Sequence, residues 1–237
     1  MKYKKYANYK YSGVDWLGDI PEDWTVIRMK FLCDVTTGTK NSVDREEGGK
    51  YPFFVRSETI QQISTYFYDG EAILSPGEGD VGNIVHYVNG KFDLHQRVYM
   101  LHNFVNIIGK FCYWYLKANL KNEAMKNSKR VTVESIRQPL FLNFPIASGS
   151  EEEQKQIIKF LEKQTMQIDE LIMALKHQIT LLEVKNQSMI NQTVTKGLDA
   201  SRSMKDSGIG WIGVIPNNWI VSPFKFVLVQ KIDNGIF

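Results

Sequence analysis

The amino-acid sequence predicts an α+β protein: a globular domain of mixed β-sheet and helices over residues 1–149, a long coiled-coil helix over 150–197, and the opening of a repeated domain over 198–237. Three observations carry this reading. Short β-rich runs broken by turn residues fill the first half, a seven-residue apolar period follows Ser150, and a 22-residue segment near the N-terminus returns near the C-terminus. A composition of 43% hydrophobic and 12% aromatic residues is ample for a buried core.

The repeat comes first in the chain. KYSGVDWLGDIPEDWTVIRMKF, from Lys10, returns as KDSGIGWIGVIPNNWIVSPFKF, from Lys205, with 11 of 22 positions identical. The pairs Trp16/Trp211, Pro21/Pro216, Trp24/Trp219 and Phe31/Phe226 are of residue types too rare to coincide this often by chance. A displacement of 195 residues far exceeds the roughly 20 to 45 residues of solenoid repeats, so it describes duplication of a whole domain plus its connector.

Between Phe31 and Asn143 the runs YPFFV, AILSP, NIVHYV and KFDL read as strands. The Asn89-Gly90 pair predicts a turn that folds NIVHYVNGKFDL into a hairpin. Phe104 to Ala124 reads as a helix with Phe111, Tyr115 and Leu116 on one side. From Ser150 the pattern is helical. Ser150 and Glu153 have capping-box spacing, and Glu151 and Glu152 put negative charge at the positive end of the helix dipole. Leu161, Ile168, Leu175, Leu182 and Met189 recur every seven residues, interleaved with Ile158, Ile172 and Ile179. This is a heptad seam, closing near Lys196-Gly197. A rod of about 70 Å outreaches a small domain, so the seam calls for a partner helix.

The chemistry is that of recognition rather than catalysis. Gly77-Glu78-Gly79-Asp80-Val81-Gly82 satisfies GxGxxG, but a dinucleotide site needs a helix after the glycines and the sequence continues as β. A tight loop between strands is the better account. His86, His95, His102 and His177 have no zinc spacing, and no serine or cysteine sits in a nucleophile motif. Glu183-Val184-Lys185 resembles the tail of a nuclease motif but lies on the heptad helix, and no Asn-Pro-Pro-aromatic tetrapeptide is present. Cys33 and Cys112 form no disulfide framework, and the longest apolar stretch is too short to span a bilayer, so a cytoplasmic protein is expected. The net charge is only +3, yet Lys117, Lys121, Lys126, Lys129 and Arg130 face only Glu123. That patch suits either phosphates or a solvated helix face. Thr37, Thr39, Lys40, Asn41, Arg45, Arg56, Ser57, Gln96 and Arg97 sit on or beside loops between strands, and are side-chain types that pair with base edges and phosphates. With Lys126, Lys129 and Arg130 they form the expected DNA-binding set; Arg56 and Arg97 suit guanine, and Gln96 suits adenine.

Ser12–Leu32, Gly70–Leu101 and the stretch from Pro145 through EEEQKQIIKFLEKQTMQIDELI together resemble the opening, the domain core and the spacer-helix junction of type I restriction-modification specificity (S) subunits. The resemblance covers nearly the whole chain and implies two target recognition domains, each reading half of a split double-stranded DNA target, held apart by an antiparallel helix pair. It implies partner methyltransferase (M) subunits, which use S-adenosylmethionine to methylate adenine, and motor-nuclease (R) subunits; the S chain itself is non-catalytic and needs no cofactor. This chain departs from the pattern by stopping inside the second recognition domain, so a half subunit is expected to self-associate through the seam residues. Two other readings share these residues: a coiled-coil decoy that binds M subunits without reading DNA, and a recognition domain serving a nuclease outside type I systems.

Overall fold

The computed structural model describes residues 5–80, 82–125 and 135–227. Two compact units divide within the long helix, residues 1–164 and 165–237.

In the first unit, β1 (Tyr9–Tyr11) and β2 (Asp19–Pro21) form a short antiparallel hairpin. Next come β3 (Thr25–Arg28), β4 (Asp34–Thr37), β5 (Tyr51–Phe54), β6 (Gln61–Ile63), β7 (Tyr68–Pro76), β8 (His86–Leu94) and β9 (Val98–His102). Helices α1 (Gly109–Met125) and α2 (Gln138–Asn143) precede β10 (Pro145–Ser148). A six-stranded sheet has the order β4-β9-β7-β8-β5-β6, antiparallel except where β5 runs parallel to β8. Strand β10 lies apart from it, paired antiparallel with β3. Met29, Leu32, Ile73, Leu101, Phe111, Cys112, Phe141 and Phe144 are buried between sheet and helices. Burial pushes the Cys112 thiol well above its ordinary range and that of Cys33 up to about 12, so both are packing residues.

Two sequence expectations are corrected. Asn89-Gly90 makes no turn: β8 runs straight through it, with Gly90 opposite Gly70 and Asn89 opposite Glu71 on β7. Two facing glycines have no side chains to pack, so the pair tolerates the unusual φ of 155° at Gly70 and 126° at Gly90 within a continuous ladder. The hairpin is instead β7–β8, joined by the glycine loop after Pro76. Helix α1 begins at Gly109 rather than Phe104. Asn103 and Asn106 adopt left-handed φ values of 56° and 58°, and the Val105 amide is drawn to the Leu32 carbonyl at 2.8 Å, so this stretch is a loop.

The long helix α3 (Glu151–Lys196) matches its expected span. The Ser150 hydroxyl caps it by accepting the Glu153 amide at 3.3 Å, but the Glu153 carboxylate serves the domain, accepting from Trp24 Nε1 at 3.0 Å and from the Tyr6 hydroxyl. Gln154, buried to 3% exposure, accepts from the Ile108 amide at 2.9 Å and donates to the Gly149 carbonyl at 3.2 Å. Ile157 and Ile158 pack on the core, and Lys110 pairs with Glu162. Replacing Gln154 with Leu strands an amide and a carbonyl, and is expected to cost about 2 kcal/mol in urea unfolding.

In the second unit α3 ends at Gly197, whose left-handed φ of 75° and amide bond to the Thr193 carbonyl close the last turn. Strands β11 (Met204–Asp206) and β12 (Val214–Pro216) follow. They reproduce the β1–β2 hairpin bond for bond. The Ser12 amide meets the Gly18 carbonyl at 3.0 Å and Ser207 meets Gly213 at 2.9 Å; Ser12 and Ser207 Oγ each accept, at 3.1 Å, the amide two residues on; Trp24 and Trp219 amides close on the Pro21 and Pro216 carbonyls.

Candidate nucleic-acid interface

Parallel pairing of β5 with β8 decides where the polar loops meet. Because the strands run the same way, Arg56 and Ser57 leave β5 at the end where His95, Gln96 and Arg97 leave β8. Strand β4 ends there too, Thr37 lying opposite Tyr99. Gly38 then passes so close to β8 that a Cβ would stand 2.0 Å from the Leu94 carbonyl oxygen, a position only glycine can occupy. This approach sets Lys40 beside His95, with the Gln96 amide on the Lys40 carbonyl at 2.8 Å and Gln96 Nε2 on Asn41 Oδ1 at 2.5 Å. Asn41 also donates its amide to Asp44 Oδ2 at 2.6 Å, capping a 3₁₀ turn over Ser42–Asp44.

Buried His95 fixes the next turn. Its amide bonds to the Phe54 carbonyl at 2.9 Å and its Nδ1 accepts the Arg97 amide at 3.0 Å. Burial first, then the nearby Arg56 and Arg97, lower the imidazole pKa and favour the neutral ring that can accept this bond. Arg56 and Arg97 are exposed, and both place Nη1 against Glu78 Oε2, Arg56 at 3.6 Å and Arg97 in direct contact. The Arg97 hydrogen bond chiefly holds the Glu78 carboxyl below its usual range, with Arg56 and Arg137 acting in the same direction.

Residues up to 60 places apart in sequence thus share one edge: Thr37, Thr39, Lys40, Asn41, Arg56, Ser57, Gln96 and Arg97, all exposed except half-buried Lys40. Such an array presents guanidinium forks and amides of the kind that bond guanine, adenine and phosphate oxygens. Arg45 lines a separate hollow beside β6, with Glu46, Glu47, Ile60, Gln61 and Gln62. Lys126, Lys129 and Arg130 lie outside the described residues. From the same basic stretch, Lys117 lies over the Tyr113 and Trp114 rings, and the Lys121 backbone packs against Gly82 of the glycine loop.

Sequence reasoning missed Glu78, His95 and Arg137 as members of this edge. Glu78 stood in a glycine motif weighed as a cofactor loop, and no local pattern ties it to arginines 19 to 59 residues away. Among the described residues no group of histidine, cysteine, aspartate and glutamate could hold a metal ion, and no helix is long and apolar enough to cross a membrane.

On α3, Ile158 is used by the domain core and Leu161 is half-buried, whereas Ile168, Ile172, Leu175, Ile179, Leu182 and Met189 are 43–63% exposed. The six lie in the second unit, where Trp211 in the hairpin and Ile220, Phe224 and Val227 after it are exposed as well.

A family model described as the type I restriction modification DNA specificity domain matches residues 21–181. The chain is 26% identical over 217 residues to the type I restriction enzyme EcoDI specificity subunit of Escherichia coli, covering 85% of this chain and 48% of that protein. It is 28% identical over 219 residues to the type I restriction enzyme MjaVIII specificity subunit of Methanocaldococcus jannaschii, covering 88% and 50%. The chain therefore spans about half the length of these curated relatives. Among solved structures, a chain from work on complex assembly and conformational transition of the type I R-M system superposes with a TM-score of 0.63 at 20% identity, covering 80% of this chain and 49% of that one. The HsdS subunit from Thermoanaerobacter tengcongensis superposes with a TM-score of 0.55 at 18% identity, covering 80% and 48%. These two likenesses are of fold.

Proposed function

Because the chain belongs to the type I restriction modification DNA specificity domain family, we propose that it reads one half of a split double-stranded DNA target for a type I complex and carries no catalytic chemistry of its own. The observation that carries this is the gathering of Arg56, Ser57, Gln96 and Arg97 with Lys40 and Asn41 at one edge of the sheet. Three loops supply side chains able to discriminate base edges, backed by a packed sheet that fixes their spacing. In this reading M subunits supply adenine methylation with S-adenosylmethionine, R subunits supply cleavage, and α3 spaces two readers.

The exposed stripe from Ile168 to Met189 supports pairing of α3 with the same helix of a second copy across a twofold axis. A pair of identical readers recognises a palindromic split site.

Methylome sequencing of a host carrying this chain and its M subunit tests the function. The expected result is adenine methylation at a split palindrome. A split but asymmetric site would retain half-site reading and reject the homodimer. If fluorescence anisotropy with M subunits present shows no preference over random duplex, DNA reading is rejected in favour of a decoy.

A further inference from the structure

We propose that Glu78 is a specificity-determining positioning residue: its carboxylate holds the Arg56 and Arg97 guanidinium groups in the orientation in which they read the target. The inference rests on the assignment of this edge to DNA, and goes beyond it by naming an acidic residue as part of the reading apparatus.

The Glu78 backbone is anchored independently of its side chain. The Gly77 amide bonds to the Arg97 carbonyl at 2.8 Å, the Ile136 amide bonds to the Gly77 carbonyl at 2.8 Å, and Glu78 itself forms a bridge with Ser135. The site is tight, since a Cβ on Gly77 would stand 2.7 Å from the Tyr99 ring. The carboxylate is therefore presented from a fixed point, and its role is directed toward the arginines rather than toward holding the loop.

That role is poorly explained by stability. Glu78 is half-buried and both arginines are exposed, with side-chain exposures of 31% for Glu78, 44% for Arg56 and 52% for Arg97, and ion pairs this wet contribute little to folding. It is also poorly explained by charge alone, because an acid on a DNA-facing edge repels phosphate. Orientation accounts for both. A free arginine loses considerable rotamer entropy on binding, and a partner that fixes it beforehand reduces that loss. Both arginines approach Glu78 Oε2 through Nη1, whereas each guanidinium carries five N–H donors, so others are left to meet paired acceptors such as guanine O6 and N7. Arg56, Arg97 and Arg137 together outnumber the single carboxylate, so the cluster remains net positive toward DNA.

The test uses the full chain with M subunits: binding-site selection, then anisotropy on the selected site and on random duplex over a salt series, for wild type, Glu78→Gln and Glu78→Asp. Glu78→Gln preserves shape and removes the charge. Its affinity for random duplex should hold or rise, with a salt slope steeper by about one, while preference for the selected site falls about tenfold or more, one misread base pair being worth roughly 1–3 kcal/mol. Glu78→Asp should retain part of the preference. An unchanged preference in Glu78→Gln, with only the salt slope altered, overturns the proposal and leaves DNA reading standing. Wild-type protein that selects no sequence overturns both. If Glu78→Gln melts early, Glu78→Asp decides: a reduced preference with the charge and fold kept supports the positioning role, whereas an unchanged wild-type preference overturns it.

Discussion

Leu175→Glu is expected to turn self-associated protein into monomer at micromolar concentration while the N-terminal domain melts as before. Leu175 sits in the middle of the exposed stripe formed by Ile168, Ile172, Ile179, Leu182 and Met189, within the unit that begins at residue 165. Pairing identical helices would enclose two carboxylates, one from each copy, in an apolar layer with no cation in the heptad seam to meet them. Burying unpaired charge costs several kcal/mol, and about 3 kcal/mol already weakens association about a hundredfold. The domain should be untouched, because α3 anchors to it through Gln154, Ile157, Ile158 and Glu162, all N-terminal to the substitution. Size-exclusion chromatography with light scattering reads the assembly, and circular dichroism reads the melt. Unchanged association would place the contact on another surface. A wild-type protein that is monomeric at this concentration would remove the homodimer altogether.

The second large effect compares two tryptophans at the same place in the repeat. Trp16→Ala should destabilise the protein by about 3 kcal/mol, whereas Trp211→Ala should stay within about 0.5 kcal/mol. The Trp16 ring lies 6.0 Å from that of Phe144, and its indole nitrogen donates to the Glu123 carboxylate on α1. Removing it opens a hole beside buried Phe144 and leaves that carboxylate without its donor. Trp211 stands on the same hairpin, formed by the same backbone bonds, but is 80% exposed. Urea unfolding followed by circular dichroism measures both. Equal losses would show that the second tryptophan is also covered, and would identify the 204–227 segment as one that docks in solution.

The long helix was legible because its signals are local. A serine cap, an acidic first turn, a seven-residue period and a terminal glycine all act within a few residues of where they stand, and α3 runs from Glu151 to Lys196 as they indicate. The repeat was legible in the sequence, though the hairpin it forms was not: Gly13 and Gly18, like Gly208 and Gly213, take left-handed conformations that recur with the sequence. Asn89-Gly90 failed as a turn because its strong local preference was outweighed by a ladder with β7, in which Gly90 faces Gly70. The start of α1 failed because the loop from Asn103 to Asn106 is drawn to Leu32, and the Ile108 amide to Gln154, both distant in sequence.

The candidate site divides along the same line. Side-chain chemistry singled out Arg56, Gln96 and Arg97 one by one as candidates, but Glu78 beside the two arginines became visible only when β5, β8 and the glycine loop came together. The sequence by itself determined the features whose causes are local: the α+β class, the helix with its seam, and a segment that occurs twice. Only the tertiary structure decided what each copy does with its apolar and charged groups. Trp16 is packed and Trp211 is bare, and an acid in a glycine loop becomes the meeting point of two arginines, because burial and ion pairing depend on which distant segments arrive alongside.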